Sequence, residues 1–341
     1  MSSSNATATM LLVNNADGPA LAMLAAMAAT FLLVVAFSWH RSKASVSMGG
    51  TAAGRGLPPG PPGLPVVGNM HQMVANRPVF RWLHRLLKHS CGEIVRVRLG
   101  PVHVVVVTCP EMAREVLRKN DAVFADRPTT FAAESFSLGY RNVSISPYGD
   151  QWRKMRRVLT AEVLSPATEQ RVRYAREDEA DHLLRYVHAQ CNGAAAAGVI
   201  DVRHVARHFC GNIIRRLTLG RRHFHLAGAV AGPGPDEVEH VDALFAVLNY
   251  LDAFCVSDYF PALVGLDLDG HEKVIRRVMR TLNRLHDPVI EERVEEWRLL
   301  RKAGERRDTA DFLDVLASLD GRDGRPLLTV EEIKSQTIVS Y

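Results

Sequence analysis

Cysteine is sparse in this chain of 341 residues, and its arrangement argues against two classes of protein. The five cysteines form no C-x-x-C pair, and their odd number leaves at least one of them without a partner. The pattern therefore argues against a disulfide framework and against a zinc site, and it favours buried thiols in a reducing compartment. The cysteines are Cys91, Cys109, Cys191, Cys210 and Cys255.

A dense tract of lysine and arginine is also missing, so no nucleic-acid partner is expected. The formal net charge is +5 and the pI is about 9.0, which favours an acidic membrane surface or an acidic protein partner. The sequence has no internal repeat. Hydrophobic residues make up 47% of the chain, which is enough to bury a large core.

Charged residues are absent from Gly18 to Trp39. About 20 apolar residues suffice to span a bilayer, and the segment lacks the positive flank and short core of a cleaved signal peptide. Positive charge follows the run instead, at Arg41 and Lys43. The positive-inside rule then predicts residues 1–17 as a lumenal tail, 18–39 as a single-pass anchor and the bulk as cytosolic.

Prolines crowd the segment Leu57–Asn69, L-P-P-G-P-P-G-L-P-V-V-G-N. Because proline fixes φ and lacks an amide donor, this segment is predicted to be a stiff, extended spacer. Residues 40–69 together form a predicted basic and proline-rich hinge, for which a generic linker is the plain alternative.

Residues 70–341 predict a mainly α domain with a small N-terminal β-sheet. Alternating residues at Ile94–Leu99 and Val102–Thr108 predict a hairpin, and Thr329 with Glu332 forms a T-x-x-E capping box. A long aromatic loop is predicted before Trp152. One predicted helix is Val79–Lys88, with Phe80, Leu83 and Leu87 on one face, and another begins at Pro110, with Ala113, Val116 and Leu117 on its apolar side. A third, Val202–Leu217, is predicted to stop at Gly220. The other predicted helices are Ser165–Gln190, Glu237–Val256, Asp269–Leu300 and one after Thr329.

The segment Ser146–Arg157, S-P-Y-G-D-Q-W-R-K-M-R-R, places Trp152 and Arg156 four residues apart. At about 100° per residue, their side chains lie within about 40° of each other on one helix face. That face offers an indole N–H and a guanidinium and no acceptor, which suits a pair of carboxylates. Taken alone, the pattern W-x-x-x-R equally fits an amphipathic helix with a buried tryptophan and a solvated arginine.

The order of these segments resembles the microsomal cytochromes P-450, in which an anchor is followed at once by P-P-G-P-P-x-x-P-x-x-G-N. Within that family, F-A-D-R-P, S-F-S-L-G-Y-R-N and S-P-Y-G-D-Q-W-R-K-M-R-R-V-L-T resemble the plant amino-acid N-monooxygenases. The similarity is closest to the tyrosine N-monooxygenases of cyanogenic glucoside biosynthesis. It implies a truncated cytochrome P-450 fold behind a transmembrane helix in the endoplasmic reticulum membrane.

The resemblance implies a haem-thiolate monooxygenase that converts L-tyrosine to p-hydroxyphenylacetaldoxime, using O2 and electrons from an NADPH-dependent reductase. It also implies that Trp152 and Arg156 donate to the haem propionates. The chain as given lacks the E-x-x-R helix and the F-x-x-G-x-x-x-C loop, and its last residues lie in the long helix after Thr329. We therefore expect no catalytic residue and no haem-ligand cysteine in it. The alternative is a non-catalytic, membrane-anchored fragment or a pseudogene product.

Substrate recognition is predicted in the loop between Arg127 and Tyr148, which caps the haem pocket in the family. A free amino acid is a zwitterion, so its site needs a cation for the carboxylate and an acceptor for the ammonium. We predict that Arg141 binds the carboxylate and Glu134 the amino group. The side chains predicted to pack nearby are Phe131, Phe136 and Tyr140. The alternative is that Glu134 and Arg141 pair with each other or with solvent.

Three basic residues flank the Trp152 and Arg156 face of the same helix. They are Arg153, Lys154 and Arg157. Because they point away from that face, they are predicted to meet an acidic surface of the reductase, with a merely solvated basic face as the alternative.

Overall fold

The computed structural model describes residues 56–88, 93–192, 198–220 and 234–339. The predicted anchor and the basic part of the hinge lie outside these ranges, so the single-pass topology stays a prediction. The chain divides into two units, one ending at Lys119 and one beginning at Asn120. Each unit is described by itself.

The first unit contains the predicted β-hairpin. Strand β1 (Ile94–Leu99) pairs antiparallel with β2 (Val102–Val107), in a register that sets Ile94 opposite Val107 and Leu99 opposite Val102. Alternate residues of β1 are buried, as period-two patterning requires. The hairpin prediction is therefore confirmed.

The helices of this unit are α1 (Met70–Ala75), α2 (Val79–Leu86) and α3 (Pro110–Arg114). Helix α2 buries Trp82 and leaves Phe80 67% exposed, so the predicted apolar face is wrong at Phe80. Helix α3 begins at Pro110 as predicted, and the Sγ atom of Cys109 caps it by accepting the Met112 amide at 3.3 Å. Its predicted apolar side is only partly buried, because Ala113 and Val116 are half-buried and Leu117, which follows α3, is 74% exposed.

The proline-rich segment is more than a spacer, because its backbone is bonded along β1. The Arg96 amide donates to the Pro59 carbonyl at 2.8 Å, and the Asn69 amide donates to the Arg98 carbonyl at 2.6 Å. A Cβ atom at Gly60 would lie 1.9 Å from the Arg96 carbonyl oxygen. Glycine is therefore required at this position by the close approach of two backbones.

The second unit has helical secondary structure in its described part, apart from connecting loops and one isolated β-bridge between Asp320 and Pro326. Its elements are α4 (Asp121–Phe124), α5 (Phe131–Phe136), α6 (Asp150–Val158), α7 (Pro166–Asn192), α8 (Val202–Leu219), α9 (Pro235–Leu251), α10 (Val256–Tyr259), α11 (His271–Ala303), α12 (Phe312–Ser318) and α13 (Val330–Val339). Helix α8 ends at Gly220 in the left-handed conformation, as predicted. The mainly α architecture with one small sheet is therefore confirmed.

Two hydrophobic clusters form the core of this unit. One joins α5, α9 and α11, with Phe136, Leu244 and Leu282 at its centre. The other joins α6, α11, α12 and α13, and it includes Met155 and Leu313. Helix α11 borders both clusters, so it fixes α5 and α6 in one framework.

Two sequence predictions need correction. The region between Arg127 and Tyr148 is not wholly a loop, because Thr130 caps a short helix, α5, by accepting the Ala133 amide at 3.0 Å. The predicted helix Glu237–Val256 ends at Leu251, so Cys255 lies in the turn before α10 and not inside an apolar helix.

One described stretch, Pro235–Tyr259, has the length and composition of a membrane span. Its helix α9 places Val241, Leu244 and Val247 in the buried interior of the second unit. These contacts explain its apolar composition by core packing.

We predict that Gly60→Ala disrupts the bonding of the proline-rich segment to β1, since the added methyl group meets backbone that cannot move aside. The expected loss of stability is about 2 kcal/mol or more, with faster hydrogen exchange of the Arg96 amide. Gly149→Ala, whose added methyl group meets nothing within 4 Å at an extended backbone conformation, is the control and should leave that amide slow. Equal exchange of the Arg96 amide in both variants would refute the packing argument.

Candidate functional site

Helix α6 is positioned by its buried face. Met155 and Val158 point into the core cluster shared with α11, α12 and α13. Gly149 precedes the helix in an extended conformation, and Asp150 places a negative charge in the first turn, where the helix dipole favours it. The opposite sides of α6 carry its polar residues.

Trp152 and Arg156 lie on adjoining turns of α6, as predicted. The Trp152 ring is half-buried and packs against Tyr148, with ring centroids 5.3 Å apart. Within the described ranges its indole N–H has no acceptor, and the exposed Arg156 guanidinium has neither an ion pair nor a hydrogen bond. The face therefore presents two unused donors and no acceptor.

The neighbouring basic residues differ from this pair. Arg153 donates to Asp150 at 2.8 Å and lies over the Tyr148 ring, 5.0 Å from its centroid. The Lys154 ammonium donates to both carboxylate oxygens of Glu332 at 2.8 Å. Lys154 is therefore ion-paired with the buried Glu332. This corrects the prediction that Lys154 is free at the surface to meet a partner.

Glu332 joins α6 to the start of α13. Its carboxylate accepts the Thr329 amide at 2.9 Å, and its own amide donates to Thr329 Oγ1 at 3.2 Å, so the predicted capping box is confirmed. The same carboxylate accepts Gln151 Nε2 at 2.9 Å. Burial raises the pKa of this carboxyl, but the hydrogen bonds from Lys154, Thr329 and Gln151 outweigh burial and hold the pKa below its usual value.

A buried polar network fixes the segment between α5 and α6 against α13. The Asn142 side chain is fully buried and donates to Ser335 Oγ at 3.3 Å, while Ser335 Oγ donates to the Ser137 carbonyl at 2.6 Å. The Val143 amide donates to Gln336 Oε1 at 3.1 Å. Sequence analysis missed these residues, because their partners lie almost two hundred positions apart.

The two predicted substrate residues flank a strained turn. Glu134 lies in α5 and Arg141 follows Leu138, Gly139 and Tyr140, all three of which have positive φ. A left-handed conformation at two residues other than glycine is unfavourable and requires support from its surroundings. That support comes from Ser137, whose Oγ accepts the Tyr140 amide at 2.7 Å.

Glu134 and Arg141 are both exposed. Within the described part of the chain, neither the Glu134 carboxylate nor the Arg141 guanidinium makes an ion pair or a hydrogen bond, while Gln151 Nε2 donates to the Arg141 backbone carbonyl at 3.1 Å. Burial, followed by the negative charge of Glu134, raises the pKa of the Tyr140 phenol. The Glu134 charge therefore acts close to Tyr140, one of the side chains predicted to pack at this site.

The start of α5 is held by Asp258, for which sequence patterns predicted no role. Asp258 Oδ1 accepts the Phe131 amide at 2.7 Å, and burial raises the pKa of Asp258. Arg276, which is bonded to Glu272, lies 5.2 Å from the centroid of the Phe131 ring. No local pattern connects Asp258 to α5, because the two lie far apart in the sequence.

The structure brings Cys255, Asp269 and His271 together, with one potential metal-ligand atom from each within 4.8 Å of the others. Spacing in the sequence did not indicate this group. Asp269 already accepts the Val256 amide at 2.7 Å and the His271 amide at 3.3 Å. Burial raises the pKa of Cys255, which favours the neutral thiol. The arrangement therefore serves as a turn-stabilising cluster.

His286 is buried and hydrogen-bonded. Its Nε2 lies 2.6 Å from Nε2 of His240, which is also buried and is contacted by Arg215. This contact joins α9 to α11 in the interior of the second unit.

The cytochrome P450 family matches residues 58–341, which is most of the chain. The chain belongs to this family. Its fold within the described residues, helices with one small sheet, agrees with the resemblance drawn from the sequence.

The similar proteins include several amino-acid N-monooxygenases. The chain is 56% identical over 282 residues to tyrosine N-monooxygenase of Sorghum bicolor, which covers 82% of this chain and 50% of the relative. It is 44% identical to valine N-monooxygenase 1 of Manihot esculenta and 45% identical to tryptophan N-monooxygenase 1 of Arabidopsis thaliana, with the same coverage of both chains. The chain thus spans about half the length of the curated relatives it matches.

Membership of this family implies a haem cofactor. The residues present in this chain fit the propionate side of that cofactor. The unused donors of Trp152 and Arg156 suit its propionate carboxylates. The described cysteines do not fit the iron. Cys109 caps α3, burial raises the pKa of Cys255, and neither these two nor Cys191 and Cys210 lie in the motif that supplies the thiolate.

We predict that Glu332→Gln lowers the free energy of unfolding by about 2 to 3 kcal/mol near pH 7, because it removes the charge that binds Lys154 and retains an acceptor for the cap. The folded-state pKa of Glu332 is depressed, so its contribution is complete above the unfolded value of about 4.3. That contribution is lost as pH falls through the folded value. Denaturation of both proteins across this range should therefore show their difference shrinking in acid.

The exposed neighbour provides the control. Glu331→Gln removes the same charge from the same turn and should change stability by less than about 0.5 kcal/mol. A difference between Glu332→Gln and the unaltered protein that is independent of pH would contradict the assigned ion pair.

Proposed function

We propose that this chain is the N-terminal part of a haem-thiolate monooxygenase that N-hydroxylates tyrosine and leads to its aldoxime. The observation that carries the proposal is the pair of unused donors, Trp152 and Arg156, on a helix fixed to α13. The 56% identity to tyrosine N-monooxygenase of Sorghum bicolor supports tyrosine as the substrate.

Trp152 and Arg156 hold the two propionates of the haem. The guanidinium forms charge-assisted hydrogen bonds to carboxylate, and the indole N–H adds a directional donor. Haem with a thiolate ligand supplies the oxygen activation for hydroxylation, with electrons delivered by an NADPH-dependent reductase. The role of the residues in this chain is to orient the group through its propionates.

Arg141 binds the carboxylate of the substrate and Glu134 binds its ammonium. Both charges are unpaired in the described part of the protein, and the left-handed turn between them is supported by Ser137. A turn held in this way limits the movement of the backbone that leads to Arg141, which favours recognition of a small zwitterion. Tyr140 and Phe131 supply apolar surface beside the two charges.

Arg153 and Arg157 contact the reductase. Both are exposed, and Arg157 has no partner among the described residues. Within the same ranges Arg153 contacts Asp150 and the Tyr148 ring, which both lie at the surface. Lys154 is left out of this surface because it is bonded to Glu332.

The alternative is a non-catalytic membrane-anchored product. It is favoured by the surroundings of the cysteines, none of which lies in F-x-x-G-x-x-x-C. The genomic reading frame beyond the Tyr341 codon separates the two hypotheses. A continuation that encodes the cysteine loop supports the enzyme, and an early stop codon supports the alternative.

We predict that Arg156→Gln and Trp152→Phe each weaken haem retention in a protein extended beyond Tyr341 with the corresponding residues of a relative. Loss of one charge-assisted hydrogen bond should speed haem release by about tenfold or more in Arg156→Gln, and less in Trp152→Phe. Transfer of haem to apomyoglobin measures the rate. Arg157→Gln is the matched control, and equal release from Arg156→Gln and Arg157→Gln would refute the propionate role.

We predict that Arg141→Ala and Glu134→Ala each abolish the tyrosine-induced spectral shift of the haem in that extended protein, while haem content is unchanged. Each substitution leaves one charge of the desolvated zwitterion without a partner. Arg157→Ala removes an exposed charge elsewhere and should keep the shift. Unchanged tyrosine affinity in both loop variants would eliminate the clamp.

We predict that Arg153→Glu with Arg157→Glu slows reduction by the reductase, most strongly at low salt, because the effect acts through long-range attraction. Stopped-flow reduction at several ionic strengths measures it. Charge reversal at Arg173, which is exposed on α7, is the control. Reduction rates equal to the control at every ionic strength would leave only a solvated basic face.

A further inference from the structure

A pocket lies between the proline-rich segment and the β-hairpin of the first unit. Its volume is about 230 Å³, and its lining residues are Pro61, Gly63, Asn69, Arg96, Arg98 and His103. Three of these six carry basic side chains and none is acidic. The function proposed above makes no use of this pocket.

Arg96 has an unsatisfied donor at the pocket. Its Nη1 lies 3.3 Å from His103 Nδ1, and because a guanidinium only donates, this contact makes the imidazole nitrogen the acceptor. Its Nε atom is buried and has no hydrogen-bond partner in the described part of the chain. Buried donors are nearly always paired in folded proteins, so this nitrogen points to an acceptor supplied from outside.

The pocket walls are held by hydrogen bonds between side chains and backbone. Arg98 donates one guanidinium hydrogen to the Leu64 carbonyl, and its backbone amide donates to Asn69 Oδ1 at 2.9 Å. The side-chain Nδ2 of Asn69 donates in turn to the Pro62 carbonyl at 3.0 Å. These contacts fix the segment over β1, so the basic groups are arranged before any ligand arrives.

We propose that this pocket binds a phosphate group, carried by a lipid headgroup or free in solution. Two guanidinium groups and an imidazole approach it from both strands of the hairpin, since Arg98 and His103 face each other in the register. A tetrahedral anion offers enough oxygens to satisfy donors from several directions, whereas a planar carboxylate offers two. The absence of an acidic lining residue leaves the positive charge available to the anion.

The proposal is tested by calorimetric titration of the full 341-residue chain in a detergent that contains no phosphate. The probes are inorganic phosphate and dihexanoyl phosphatidic acid below its micelle concentration, with dihexanoyl phosphatidylcholine for comparison. Arg96→Gln should weaken phosphate binding by about tenfold or more. Arg81→Gln, an exposed arginine of α2 outside the pocket, is the matched charge control and should bind as the unaltered chain does.

The two sources of phosphate are separated by the probes. Tighter binding of phosphatidic acid than of inorganic phosphate, lost in Arg96→Gln, assigns a lipid headgroup, and equal binding assigns free phosphate. If Arg96→Gln does not fold, His103→Gln at the exposed rim should weaken binding by about threefold. No binding of either anionic probe, or equal binding by the Arg96 and Arg81 variants, overturns the proposal.

Discussion

The carboxylate of Glu332 is the interaction on which the arrangement of the second unit depends. It closes the cap of α13 and at the same time binds Lys154 and Gln151 of α6. Burying a carboxylate without such donors would cost several kcal/mol of folding free energy. Glu332 can therefore be buried only because these four hydrogen bonds form. The start of α13 and the polar side of α6 therefore cannot be placed independently.

The same helix also fixes the segment that precedes α6. Ser335 and Gln336, one turn beyond Glu332, bind Ser137, Asn142 and Val143. Helix α13 thus fixes the position of α6, which carries the unused donors, and the position of the turn beside Arg141. The proposed haem and substrate contacts share this support, so damage to α13 would affect both at once.

Local sequence patterns predicted those caps and turns that are formed by residues close together in the chain. The T-x-x-E cap of α13, the Gly-Pro turn of the hairpin and the stop of α8 at Gly220 each depend on residues a few positions apart. They were predicted because a cap or a turn is formed by its own sequence neighbours.

The rest depended on distant partners. Helix periodicity predicts the side of α6 on which Lys154 lies, but it does not identify the residue packed against that side. The bond of Lys154 to Glu332 was therefore missed. Helix α5 was hidden in a predicted loop, because its Phe131 amide is held by Asp258, 127 residues further along the chain. A role for Asp258 or Ser335 could be inferred only once the folded contacts were known.

The bonding of the proline-rich segment to β1 has a mechanical consequence. A glycine-rich segment would be too flexible to transmit a force, and a stiff segment without bonds to the fold would rotate about the residues that flank it. Here the Pro59 and Asn69 ends of the segment are both bonded to one strand, and Gly60 leaves no gap between them. Any force applied to the chain before Leu57 therefore reaches the hairpin through these bonds to β1, without a flexible joint between them.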